Sequence, residues 1–361
     1  MGDVNNDTVH YSTMATTAFP NATSIVFLNE ELFPIAVDHT MKTLYVLVAV
    51  LGILGNGLIL YLFASKRVKL TPFNILLLNL SLSDMLADIS ILPYVFISLK
   101  SIRSFSQTTA NALCTVVMGQ MTYWIVTVAA LFTLTVISVS RYIFIRYPLK
   151  SQSFHKKHAS YVVILVIWPS AIAMCMPTFF SFHYNYQYAV CERVWPQGVN
   201  GQVYSAITAL LGYIIPILVL MFTFIGTRQY LWLTTTNELV RSSSSIRRRK
   251  TASMLLGALV LAFFVCWSPF FVYWILSRTA TTTFPDGPEG DYSRMRVIVF
   301  VVFVSLLNTV ADPIIYGLRS EDFRKSLRLM WHQVVSGGRE RARTKSSECP
   351  DSRCDDHHYR L

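Results

Sequence analysis

Three carboxylates and one guanidinium sit where a water-soluble protein would not place them. Asp84, Asp88 and Asp312 lie inside long apolar runs, and Arg141 closes a stretch with no Asp, Glu, Lys or Arg from Ser104 to Ser140. Asp84 and Asp88 are one helical turn apart and share a face. A charge at membrane depth is costly unless it meets a partner, a polar cavity or the membrane edge, so each of these groups is a candidate for function. Two carboxylates held close share a proton rather than both ionise. Arg141 has a plainer alternative, a membrane-edge side chain whose stem lies in the apolar layer while its head reaches water. No metal-ligand cluster and no nucleophile with its base is recognisable, so neither an enzyme nor an organic cofactor is expected.

These side chains need elements that cross a bilayer. Of the 361 residues, 53% are hydrophobic and only 14% charged, too apolar for a soluble domain of this size. A helix rises ~1.5 Å per residue and the hydrocarbon layer is ~30 Å thick, so about 20 apolar residues suffice to span it. Runs of that length predict spans over 43–64, 73–99, 114–148, 159–182, 203–233, 251–277 and 297–318. The fold class is therefore an all-α membrane protein with seven spans. Residues 319–335, with Phe323, Leu327, Leu329 and Met330 among Arg and Lys, suit an amphipathic eighth helix on the membrane surface. The expected organisation is a tail over 1–42, a bundle over 43–318, the surface helix, and a second tail over 336–361.

The net charge of +11 has to be mapped onto loops before it suggests a partner. Lys and Arg gather after spans one, three and five and in the carboxy-terminal tail, which places those regions in the cytosol. The charge is then topology, and no nucleic acid is expected. The amino terminus falls outside the cell, where Asn6 and Asn21 are N-glycosylation sequons. No positive region followed by a short apolar core precedes it, so no removable signal peptide is expected.

Taken together, the marks on these spans resemble the rhodopsin-like (class A) G-protein-coupled receptors. They are Gly55-Asn56, the Asn79–Asp84 run, Cys114, Ser140-Arg141-Tyr142, Trp168, Pro216, Phe263, Cys266-Trp267-Ser268-Pro269, Asp312-Pro313, Tyr316 and Phe323. The resemblance covers about 43–330. Three positions depart from the family. Ser140 replaces the usual acid before the arginine, Phe224 replaces a common tyrosine, and Cys114 lies two residues further from Arg141 than is usual. The last shift needs a local distortion at the top of span three.

The resemblance implies a plasma-membrane receptor that passes an extracellular signal to a heterotrimeric G protein, with arrestin, receptor kinases and membrane lipid as further partners. It implies a Cys114–Cys191 disulfide, and a switch and coupling set of Arg141, Tyr142, Phe263, Trp267, Pro269, Asp312, Pro313 and Tyr316. Asp84, Asn308 and Asp312, with Asn56 and Asn79 nearby, either hold sodium as similar receptors do or remain protonated and hydrogen-bonded without it. Tyr123 stands where amine receptors carry an aspartate, and span seven has no lysine for a retinal Schiff base. The expected ligand-contacting set is Tyr94, Gln120, Tyr123, Trp124, Trp267, Phe270, Phe271 and Trp274, although each could equally be interspan packing. The segment around Cys191, ending in Trp195-Pro196, resembles the β-hairpin loop of neuropeptide receptors of the tachykinin and cholecystokinin kind. A peptide ligand is therefore expected, with a lipid or other small molecule as the alternative. A transporter or channel is a remote reading, because no internal repeat is present. Without the acid at 140, and with Arg249 near the place of a second one, signalling without ligand is also expected.

Overall fold

The computed structural model describes residues 39–97, 99–147, 157–187, 189–235, 244–279, 288–320 and 323–333. The sequons Asn6 and Asn21, the amino-terminal tail and the 336–361 tail lie outside the described residues. Among the described residues, seven helices are long and apolar enough to cross a membrane. They are α1 (His39–Ala64), α2 (Pro72–Phe96), α3 (Gln107–Arg146), α4 (Lys157–Phe179), α5 (Gly201–Tyr230), α6 (Ser244–Thr279) and α7 (Pro288–Arg319).

The outer surface of the bundle is as apolar as its interior. Leu165 is 72% exposed and Leu318 67%, and in water such residues would be a liability. In hydrocarbon they are in their own solvent. Association must then come from close packing and interhelical hydrogen bonds. Gly55 brings α1 against the Pro313 ring of α7, and a Cβ there would come within 2.7 Å of it. Asn56 Nδ2 donates to the Gly52 carbonyl at 3.1 Å and across to Thr309 O at 2.8 Å, joining α1 to α7. Trp168 of α4 donates to Asn79 Oδ1 at 3.0 Å, and Asn79 Nδ2 donates to Thr133 Oγ1 of α3 at 2.8 Å. Three helices thus share one amide.

Several boundaries differ from the expected ones because charge and helicity are separate matters. α1 begins at His39, so Lys42 lies inside a helix rather than before it. α7 starts at Pro288, and Arg294 and Arg296 ride on a helix that extends beyond its apolar part. α2 ends at Phe96, where Ile97 turns extended and its N–H bonds to Pro93 O. The surface helix, α8, is described over 323–333, inside the expected 319–335; α7 runs to Arg319, the Ser320 hydroxyl accepts from Phe323 N, and 321–322 and 334–335 lie outside the described residues. It docks on the loop after α1, where Ser326 Oγ donates to Arg67 O at 3.1 Å and Arg67 donates to Gln333 at 2.8 Å. Phe323 is buried there, while Leu329 and Trp331 are exposed.

The distortion required by Cys114 is present in α3. Cys114–Met118 forms a π-turn, and Gln120 adopts a left-handed backbone with φ 51° before the α-helix resumes at Met121. A π-turn takes up about one extra residue, and the left-handed residue resets the direction of the chain. Cys114 is thereby returned to Cys191, and the disulfide forms with Cα atoms 5.6 Å apart. It pins a two-stranded antiparallel hairpin, β1 (Phe182–Asn185) and β2 (Val190–Arg193), with Tyr184 opposite Cys191. Tyr184 N also bonds to Asn111 Oδ1 at 2.8 Å, and Gln107 Nε2 to Tyr184 O at 3.0 Å. The Phe182 ring rests on Gly119, where a Cβ would approach within 2.7 Å.

A left-handed residue with a side chain costs about 1–2 kcal/mol. Gln120→Gly is expected to leave the thermal midpoint of the detergent-solubilised protein unchanged or higher. Gln120→Ile is expected to lower it through a destabilisation of about 1–3 kcal/mol, because a β-branched residue tolerates that conformation worst. Equal midpoints for the two variants would contradict the local account.

Candidate functional site

Candidate groups occur at three depths. At mid-membrane the carboxyls of Asp84 and Asp312 lie within hydrogen-bonding reach of each other, and each is 2% exposed. Asp84 Oδ2, Asn308 Oδ1, Asp312 Oδ1 and the Tyr316 hydroxyl are buried without a hydrogen-bond partner. Buried polar atoms left open in this way need an explanation. Carboxylate and amide oxygens together suit a hard cation, so the residues present fit the sodium that the resemblance implies. Asn79, expected in the same polar core, is instead used by Trp168 and Thr133.

Asp88 does not join that set. Among the described residues no three His, Cys, Asp or Glu groups converge as a shared metal site requires. Asp88 turns toward α7 and accepts from Thr309 Oγ1 at 2.8 Å, leaving Oδ2 unpartnered. Gly52 of α1 makes the room, since a Cβ there would run into the Asp88 carboxyl. One turn along a helix was enough to suggest a shared face, but the neighbouring helices decide which group each acid meets.

The layer above is aromatic. Trp267 stacks on Phe263 with ring centroids 5.7 Å apart and planes at 18°. Around it stand Trp124 at 6.5 Å, Phe270 at 5.9 Å, Phe271 at 6.0 Å and Tyr213 at 6.5 Å. Pro269 lies in α6 one residue from the Phe270 ring, where a missing N–H weakens the helix ladder. Adjacent residues of α3 divide their roles. Trp124 packs toward α6, while the buried Tyr123 exchanges a hydrogen bond with Ser305 of α7 at 3.0 Å. Tyr94 and Gln120 are buried, and Trp274 is half-buried against the same core. Tyr213 was not singled out in the sequence. It belongs to a second π-turn, Leu210–Ile214, shortly before Pro216, and that proline was its only local signal.

Near the Arg146 end of α3, Tyr142 packs on Phe222 and against Gly226 of α5, and Ser138 exchanges a 2.7 Å hydrogen bond with Thr223. Phe224 leans on Gly257 of α6, which has no room for a Cβ. Arg141 lacks a neighbouring acid but not a neighbour. Its Cζ lies 3.7 Å from the centroid of the Phe73 ring at the start of α2, and its Nε is buried without a hydrogen-bond partner. A desolvated contact of this kind contributes about 2 kcal/mol. The side chain of Arg249 lies outside the described residues.

Comparison with known proteins came to the same ground. Residues 55–316 match the profile of the family described as 7 transmembrane receptor (rhodopsin family). The chain is 29% identical over 297 residues to somatostatin receptor type 5 of Bos taurus, covering 80% of this chain and 75% of that one. It is 27% identical over 330 residues to galanin receptor type 1 of Mus musculus, with 88% and 89% covered. A QRFP-like peptide receptor of Branchiostoma floridae is 24% identical over 311 residues, with 83% and 79% covered.

The fit between Gly52 and Asp88 is open to a direct check. Gly52→Ala is expected to destabilise the purified protein by about 1–3 kcal/mol through overpacking. Adding Asp88→Ala to that chain should recover most of the loss in thermal midpoint and surface expression. No recovery would mean that the acid is not what Gly52 accommodates.

Proposed function

The chain belongs to the rhodopsin family of seven-transmembrane receptors, and from that premise we propose that it is a plasma-membrane receptor for an extracellular peptide, coupled to a heterotrimeric G protein. The observation that carries the peptide reading is the disulfide-pinned hairpin beside the outer end of α3, next to a layer of aromatic side chains. Strand edges supply backbone hydrogen bonds, and aromatic walls take up side chains. The relatives reported above carry peptide-receptor names, in keeping with the neuropeptide-like segment around Cys191. Tyr123 offers no counter-charge to a small amine.

In this reading the ligand contacts Tyr94, Gln120, Trp124, Phe270, Phe271 and Trp274, and reaches Tyr123 and Trp267 at the floor. Contact there alters the packing of Trp267 on Phe263 beside Pro269, and the cytosolic ends of α5 and α6 part around Arg141 and Tyr142. The ligand drives this change only by its differential affinity for the two arrangements. Asp312, Pro313 and Tyr316 carry the same change along α7. Sodium would be held by Asp84, Asn308 and Asp312, where it supplies positive charge to two facing carboxyls. The amino terminus faces outward, and arrestin, receptor kinases and membrane lipid meet the cytosolic side. Signalling rather than catalysis is the output.

Two outcomes test this. A peptide library applied to cells expressing the receptor should yield an agonist, and Tyr123→Ala, Trp274→Ala and Cys191→Ala should each reduce its potency at least tenfold at unchanged surface expression. Activation of the unaltered protein by a biogenic amine at low concentration would overturn the peptide assignment. For the ion, agonist affinity is expected to fall as sodium rises, and Asp84→Asn should abolish that dependence. A sodium-independent affinity in the unaltered protein would leave the two acids as a protonated pair.

A further inference from the structure

We propose that the Phe73 ring is the positioning residue that holds Arg141 in the non-signalling arrangement, in place of the acid that Ser140 does not supply. The proposal rests on the receptor reading above and concerns how that receptor is restrained. The guanidinium carbon lies 3.7 Å from the ring centroid, close enough for the cation to sit on the electron-rich face. Nε is withdrawn from solvent and makes no hydrogen bond, while the residue as a whole is half-buried against the ring. No ion pair is made by Arg141 among the described residues.

The ring is placed by its own helix start. Thr71 caps α2 by accepting from Asn74 N at 3.2 Å, and Pro72 follows in the first turn, where its fixed φ favours a helix. Asn74 Nδ2 donates to Lys69 O at 2.7 Å, and Ser160 of α4 donates to Pro72 O at 3.0 Å. Three hydrogen bonds on both sides of Phe73 therefore fix the backbone that carries the ring and tie it to α4. Arg141 belongs to α3, which packs on α5 through Tyr142 and Ser138. The stack thus joins α2 to the helix that a G protein must meet. The start of α2 bears the positive end of the helix dipole and no acidic residue in its first turn, so the ring is the feature there that attracts the cation.

The missing acid alone predicts free signalling, whereas a retained aromatic restraint predicts a low basal level that depends on the ring. The test uses the full-length receptor at matched surface expression, with ligand-free activation read across a panel of Gα subunits. Phe73→Leu keeps apolar bulk but removes the ring, and basal activation is expected to rise roughly tenfold. Phe73→Trp and Phe73→Tyr keep a ring and should stay near the unaltered level. Ser140→Asp added to Phe73→Leu should bring the level back down by supplying the acid. A Leu variant no more active than the unaltered receptor overturns the proposal, as does a Trp variant as active as the Leu variant. A second measurement needs no G protein, namely the distance between labels at the cytosolic ends of α2 and α6 in the purified receptor. The Leu variant should shift toward longer separations while the Trp variant does not, and identical distributions for Leu and unaltered chains would again overturn it. Absence of Gα activation in every variant would fail the coupling assignment, while the distance measurement would still decide the role of Phe73.

Discussion

A bilayer offers no water to a polar atom, and most of this structure follows from that constraint. Every buried amide, hydroxyl or carboxyl must find its partner in another part of the chain. Because lipid tails are as apolar as leucine, these polar contacts, with close packing at glycine, decide which helices meet. Asn56 ties α1 to α7, Asn79 gathers α2, α3 and α4, and Ser138 ties α3 to α5. Those ties do not satisfy every buried oxygen, and the ones left without a partner include Asp84 Oδ2, Asn308 Oδ1 and Asp312 Oδ1 as well as Asn56 Oδ1 and Asp88 Oδ2.

The same constraint separates rigid from movable parts. The outer end of α3 is over-determined by a disulfide, two hydrogen bonds to Tyr184 and the Phe182 ring on Gly119. The middle of α6 is held differently, by stacked rings around Trp267 next to a proline that removes a backbone bond. Ring packings can exchange without leaving a polar group stranded, so a change of arrangement costs less there than at the amide ties. Near the Arg146 end of α3, Arg141 rests on a ring and, among the described residues, makes no ion pair, and Phe224 rests on a glycine. Both contacts separate without leaving a buried counter-charge, the usual cost of breaking an ion pair.

The sequence by itself determined the seven spans and the fold class. Apolar length is a one-dimensional quantity, so the spans were legible, while their ends shifted by several residues, as where Lys42, Arg294 and Arg296 ride on helix beyond its apolar run and where α2 stops at Phe96. The two-residue displacement of Cys114 was visible as a count, and it required a distortion that the π-turn and Gln120 supply. The tertiary structure alone decided partners. Asp84 and Asp88 share a helical face by spacing, yet Thr309 and the space at Gly52 draw one of them away. Asn79 left the polar core because Trp168 reached it first, and Phe73 became the neighbour of Arg141 from 68 residues away in the chain. Spacing along a helix fixes the direction of a side chain, whereas what it meets depends on helices that the local sequence does not specify.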